Sequence, residues 1–153
     1  MSQLTFLDVN VAMYAAGQPH PYRQACRWVM GEVAAGRLAA AIDAEIVQEI
    51  MYRFSALRRW ELAVALASEL LELVPNVFPI TQAEALRSLR LFERYTAGGV
   101  AARDVIHVAV MQNNGITEII STDEHFDQIE GITRLDPLAL FERALGETKG
   151  SDV

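Results

Sequence analysis

Short apolar runs alternate along this chain with stretches of helical length, and no other feature restricts the fold as strongly. Leu4–Val9, Leu38–Ile42, Val77–Ile80, the stretch from Glu118 to Asp123 and Ile132–Leu135 read as strands. Helices are expected over Asn10–Ala16, Tyr22–Ala35, Asp43–Arg58, Trp60–Leu73, from Thr81 toward Gly98, Val100–Asn113 and from Pro137 to near Gly146. Strands joined by helix-sized crossovers pair in parallel, and a parallel sheet needs both faces covered. The expected fold class is therefore α/β, a three-layer α/β/α sandwich around a central parallel sheet.

The punctuation agrees with this reading. Gly36 and the pair Asn114-Gly115 are good helix stops, and Gly98-Gly99 breaks the chain. Asp43 is placed to N-cap the helix after the second strand, and Thr81 with Glu84 forms a capping-box pattern. Pro137 suits the first position of the last helix. With 153 residues and a hydrophobic fraction of 52%, residues 1–146 make one domain, and 147–153 are expected to be a polar, flexible C-terminal tail. No positively charged stretch leads an apolar run at the N-terminus, and no apolar run approaches membrane-spanning length, so a cytoplasmic location without membrane contact is expected. Cys26 is the only cysteine, so this chain alone can form neither a disulfide nor a cysteine-based zinc site.

In parallel sheets, functional groups gather outside the carboxyl ends of the strands, where strand order reverses. Asp8 stands at such an end, interrupting a run that is otherwise apolar, and a buried carboxylate without a partner costs several kcal/mol. It either takes part in a site or caps the following helix. Asp123 repeats the pattern after Ile119-Ile120, with Ser121 and Thr122 beside it, and a capping role for the turn through Phe126 is its alternative. Asp104 lies early in an apolar helix, where an acid is favourable in any case, and His107 one turn later reads as a hydrogen-bonded core residue. Glu45 and Glu49 share a helical face, and spacing does not choose between them. Trp28, Met30, Trp60 and Leu62 serve either as core or as a partner surface.

Carboxylates gathered in this way suit magnesium or manganese, which prefer oxygen ligands, and phosphodiester hydrolysis is the natural reaction class. Two carboxylates at 4 Å repel by about 4 kcal/mol at an effective dielectric near 20, so such a cluster strains a fold without cations. A net charge of −7 excludes a broad basic surface for nucleic acid and leaves local arginines to make any phosphate contact.

Taken in order, Phe6-Leu-Asp-Val-Asn10 with Tyr14, Val47-Gln-Glu-Ile50, Ala102-Arg-Asp-Val-Ile-His-Val-Ala109, Ser121-Thr-Asp-Glu-His-Phe126 and Ile132 with Asp136-Pro137 resemble the PIN-domain nucleases, and within them the VapC-type toxins. The resemblance runs nearly the whole length. It implies a PIN-like sandwich in which Asp8, Glu49, Asp104 and Asp123 are the catalytic, metal-binding acids, which prefers Glu49 over Glu45. It further implies supporting roles for Asn10, Ser121 and Thr122, a magnesium or manganese cofactor, and endoribonuclease activity on RNA. A cognate antitoxin and a homodimer are its implied partners. Arg53 and Arg103 are the candidates for RNA contact. Two other readings compete: a catalytically inactive PIN-fold protein-binding module, and a receiver-like domain phosphorylated on Asp8. The second lacks a lysine near a late strand end, since Lys149 is the chain's only lysine.

Overall fold

The computed structural model describes residues 3–151. Strands β1 (Thr5–Leu7), β2 (Ala40–Asp43), β3 (Asn76–Phe78), β4 (Glu118–Ile120) and β5 (Thr133–Leu135) form one sheet in the order β3-β2-β1-β4-β5. Every pairing is parallel, with Phe6 opposite Ala41 on one side and Ile119 on the other. The chain builds outward from β1 to β3 and then returns across it to β4. Strand order thus reverses between β1 and β4, and the carboxyl ends of these two strands open onto the same rim. A receiver-like sheet has the order 2-1-3-4-5, so this topology removes that reading.

Helices α1 (Val9–Ala16), α2 (Arg23–Ala34), α3 (Glu45–Ala56), α4 (Trp60–Leu73), α5 (Gln82–Tyr95), α6 (Ala102–Asn113) and α7 (Pro137–Ser151) cover the sheet. Successive strand residues point to opposite faces, which divides the core in two. Leu7, Ala40, Ile42 and Ile120 meet residues of α1 to α4, whereas Phe6, Ala41 and Ile119 meet α5 and α6. The sandwich expected from the alternation is the one observed.

Three local expectations need correction. The third strand is Asn76–Phe78, not Val77–Ile80, and Pro79 follows it at the sheet edge. The capping box is only half formed: Thr81 makes no side-chain cap and its Oγ1 instead donates to Glu84 Oε2 at 2.6 Å, while the Glu84 carboxylate accepts from the Thr81 backbone. The last helix continues through Ser151 instead of stopping near Gly146, so 147–151 are helical, while 152–153 of the expected tail lie outside the described residues. A glycine ends a helix by adopting the left-handed conformation. Gly36 and Gly115 do so at φ 74° and 69°, and Gly146 does not. Asp136 caps this helix by accepting from Leu138 N at 2.8 Å.

Of the four large apolar residues that the sequence left between core and surface, Trp28 and Met30 pack against the core, and Trp60 and Leu62 are exposed. Cys26 is buried, and burial pushes its thiol up to about 12. Among the described residues no helix is long and apolar enough to cross a membrane.

Candidate active site

Asp8 follows β1 directly, at the point where the strand gives way to α1. Its Oδ1 accepts from Val9 N at 2.8 Å, so it caps the helix, yet its Oδ2 accepts from Ser121 Oγ at 2.6 Å and from Asn10 Nδ2 at 3.1 Å. Asp8 thus fills both roles that the sequence offered as alternatives, cap and cleft residue. Ser121, just past β4, also accepts from Asp123 N at 3.0 Å, tying the ends of the two strands on either side of the reversal together. Thr122 joins this network through its backbone, its N–H donating to Asn10 Oδ1 at 3.4 Å. Burial raises the Asp8 pKa, against the lowering influence of His107 and the Ser121 hydrogen bond.

Asp123 likewise plays two parts. Its Oδ1 accepts from His125 N at 2.9 Å as the cap of the short turn Glu124–Gln128, while its side chain faces the same cleft as Asp8. Asp104, in the first turn of α6, completes this side. Burial, then the carboxylates of Asp8, Asp123 and Glu49, push its pKa up to about 7, with His107 opposing. Among the described residues no hydrogen bond reaches the Asp104 carboxyl.

Glu49 is buried on α3, whereas Glu45 is only half-buried one turn earlier and does not line the cleft. A single ring decides how Glu49 is held. His107 is fully buried on α6, with Nδ1 2.7 Å from Asp43 Oδ2 and Nε2 against Glu49 Oε1. Burial pulls the His107 pKa down, but hydrogen bonds to Asp43 and Glu49 together outweigh it and hold it well above the ordinary value. The ring is therefore an imidazolium, donating from both nitrogens.

This overturns the expectation for Asp43. It does not cap α3, whose N-terminus has no side-chain cap, and it sits wholly buried as the anchor of His107. The readable signal was its place at the end of Ala-Ala-Ile-Asp, the strand-end position that Asp8 holds next to β1. His107 is a hydrogen-bonded core residue as expected, but its partners belong to the site.

The cleft, about 520 Å³ in volume, is lined by all four predicted acids together with Asn10, Arg53 and Arg103. Tyr52, unremarked in the sequence, also lines it, and the Arg103 guanidinium lies 4.4 Å from its ring. Among the described residues neither Arg53 nor Arg103 forms an ion pair, whereas Arg94 is bound to Glu130 and Arg134 to Asp127.

The donor set fits a hard dication. One ligand atom each from Asp8, Asp104 and His107 lies within 4.8 Å of the others. Because both His107 nitrogens already face carboxylates, the oxygens are the available donors. One imidazolium does not neutralise the carboxylates around it, and Asp43 Oδ1 is buried with no hydrogen-bond partner among the described residues.

Comparison with known proteins points the same way. The PIN domain family model matches residues 5–132. A VapC ribonuclease of Mycobacterium bovis is 31% identical over 132 residues, covering 86% of this chain and 99% of that protein. Ribonuclease VapC7 of Mycobacterium tuberculosis is 32% identical over the same length, covering 86% of this chain and 90% of the relative. Among solved structures, VapBC of Salmonella typhimurium bound to DNA superposes with a TM-score of 0.67 at 16% identity, over 90% of this chain and 99% of that one. VapC20 of Mycobacterium tuberculosis, described as a sarcin–ricin loop cleaving toxin, gives 0.67 at 15% identity, over 80% and 91%. The structural likenesses concern the fold.

Proposed function

Since this chain belongs to the PIN-domain family, we propose that it is a divalent-metal-dependent endoribonuclease and the toxin of a toxin–antitoxin pair. The observation that carries the reading is the meeting of Asp8, Glu49, Asp104 and Asp123 in one cleft that also bears Arg53 and Arg103, neither of which forms an ion pair among the described residues. The names of its ribonuclease relatives supply the substrate class.

Asp8, Glu49, Asp104 and Asp123 would hold magnesium or manganese, which when bound supplies a Lewis acid for the scissile phosphate and balances the carboxylate charge. The protein's own contribution is positioning. Three donors fix Asp8, and the Asp43–His107 pair fixes Glu49, so that neither carboxylate has to reorganise when substrate arrives. Arg53 and Arg103 bind RNA phosphates at the cleft mouth, local positive charge in a chain whose total is −7. Asn10, Ser121 and the Thr122 N–H keep Asp8 and Asp123 in register. The toxin acts in the cytoplasm, where its RNA substrate is.

Two exposed apolar surfaces serve the antitoxin and a second copy of the chain. One is on α4, with Trp60, Val64 and Leu71, and the other on α5, with Leu86, Leu89 and Phe92. Introducing a charge by Leu89→Glu or Val64→Glu and measuring solution mass, alone and with the co-expressed antitoxin, assigns each surface.

The activity is tested by incubating the pure protein with labelled RNA in magnesium, manganese or EDTA, beside the Asp8→Asn variant. Cleavage is expected in the metals only, with a loss of at least about a hundredfold in the variant. Equal cleavage by Asp8→Asn, or cleavage in EDTA, would overturn the proposal.

A further inference from the structure

Asn10 and Arg53 line two spaces at once. On one side is the acidic cleft, and on the other a pocket of about 340 Å³ whose remaining walls include Met13, Tyr14, Pro19 and His20. Nothing in the acidic chemistry requires this second space, and its walls are of a different kind.

The chain builds it from the end of α1 and the connection to α2. Gly17 ends the helix, and Pro19 and Pro21 stiffen the segment on either side of His20. His20 Nδ1 accepts the Tyr22 N–H at 3.2 Å, which restrains the ring. The result is a group of three aromatic rings. Tyr14 and His20 stack at 4.5 Å and 28°, His20 and Tyr22 lie at 5.8 Å and 12°, and Tyr14 and Tyr22 are 5.5 Å apart. Tyr14 and His20 reach the pocket wall, with His20 exposed and Tyr14 half-buried.

Preordered aromatic rings beside an arginine without an acidic partner are the recurrent means by which proteins hold single-stranded nucleic acid. The rings stack on bases, and the guanidinium takes the phosphate between them. A space of this size lies at the small end of ligand pockets, enough for one planar base and too small for a helix of a protein partner. Its position matters as much as its walls. It shares Asn10 and Arg53 with the cleft where the acids meet, so the two spaces adjoin.

We propose that the Tyr14–His20 pocket is a nucleobase subsite: it takes one unstacked base adjoining the scissile phosphate, while Arg53 holds the phosphate between subsite and cleft. The proposal rests on the ribonuclease reading for the identity of its strand, and it predicts preference for single-stranded or bulged RNA. It also makes cleavage depend on the presence of one particular neighbouring base.

The experiment uses the full chain and a labelled single-stranded oligoribonucleotide, measuring both binding by anisotropy in magnesium and cleavage in manganese. Each flanking nucleotide in turn is replaced by an abasic one. Tyr14→Leu keeps apolar bulk against the core, Tyr14→Phe keeps the ring, and melting curves show that both variants are folded. Loss of one stacked base costs about tenfold. Tyr14→Leu is therefore expected to raise KM and Kd about tenfold with kcat little changed, and Tyr14→Phe to resemble the parent. One abasic position should cost the parent the same factor and cost Tyr14→Leu nothing further. The subsite falls if Tyr14→Leu matches the parent, if the two losses multiply, or if only binding to the antitoxin responds. Ring-dependent binding without cleavage would leave the subsite standing and sink the ribonuclease reading. Cleavage indifferent to both changes does the reverse, and neither binding nor cleavage ends both.

Discussion

On the β1–β4 side of the cleft, Asp8 is held by neutral donors: a backbone N–H, a serine hydroxyl and an asparagine amide. On the β2–α3 side, Glu49 and Asp43 are held by one charged ring, His107, buried between them. Both arrangements fix carboxylates in a nearly dry environment, but they fail differently. A neutral donor contributes about 1 kcal/mol, and two others remain when one is lost. An imidazolium shared by two buried carboxylates has no substitute, and taking one partner out of a buried ion pair costs about 3–5 kcal/mol. The first side is therefore tolerant and the second brittle.

The brittle side offers the strongest test. His107→Leu strands two buried carboxylates and should lower the melting temperature by about 10 °C or more, taking the usual 2–4 °C per kcal/mol for a domain of this size. Changing both partners, His107→Leu with Asp43→Leu, should lose less than the separate losses added together. A melting curve for His107→Leu within a degree or two of the parent would remove the distinction between the two sides.

An intermediate effect of opposite sign belongs to Asp104, which neither hydrogen-bond network supports. Its folded pKa is raised to about 7 from an ordinary 3.8. The folded state therefore retains a proton that the unfolded state releases between those values, and stability falls as pH rises through that window. The penalty is complete above pH 7, on the order of 2 kcal/mol after allowance for partial exposure. Asp104→Asn in EDTA should accordingly melt about 5 °C above the parent at pH 8, with the gap closing toward pH 4, and manganese should raise the parent more than the variant. Thermal scans across that range check it, and a variant that melts lower at pH 8 would mean that the carboxylates do not crowd one another.

The smallest change is expected on the tolerant side. Ser121→Ala removes a donor to Asp8 and the acceptor of the Asp123 N–H, yet Val9 N and Asn10 still hold Asp8. A loss of about 1–2 kcal/mol, read as a shift in the denaturant midpoint without a change in slope, is the anticipated outcome. A loss as large as that of His107→Leu would show that this side is equally brittle.

Much of this was legible in the linear order of residues. Apolar runs between helical segments specify a parallel sheet, because period-2 and period-3.6 patterns are local properties of neighbouring residues. An aspartate within a few residues of a strand's carboxyl end reaches the rim whatever the rest of the chain does, which is why Asp8, directly after β1, and Asp123, three residues past β4, could be picked out beforehand. Local pattern also misled. Asp43 has the credentials of a helix cap, and Gly146 those of a helix stop, until the surroundings assign one to His107 and leave the other in ordinary helix.

The sequence by itself determined the elements, their parallel pairing and the edge of the sheet where acids would gather, since each follows from spacing over a few residues. Helical spacing left Glu45 and Glu49 open and the family resemblance chose Glu49, which is the one that lines the cleft; only the tertiary structure decided that Asp43 and Glu49 share one imidazolium, and that Tyr14 and His20 wall a pocket beside Arg53. Asp43 and Glu49 stand 64 and 58 residues from His107 along the chain. Charges so far apart have no local signature, because what pairs them is the exclusion of water when two helices close over the end of a strand.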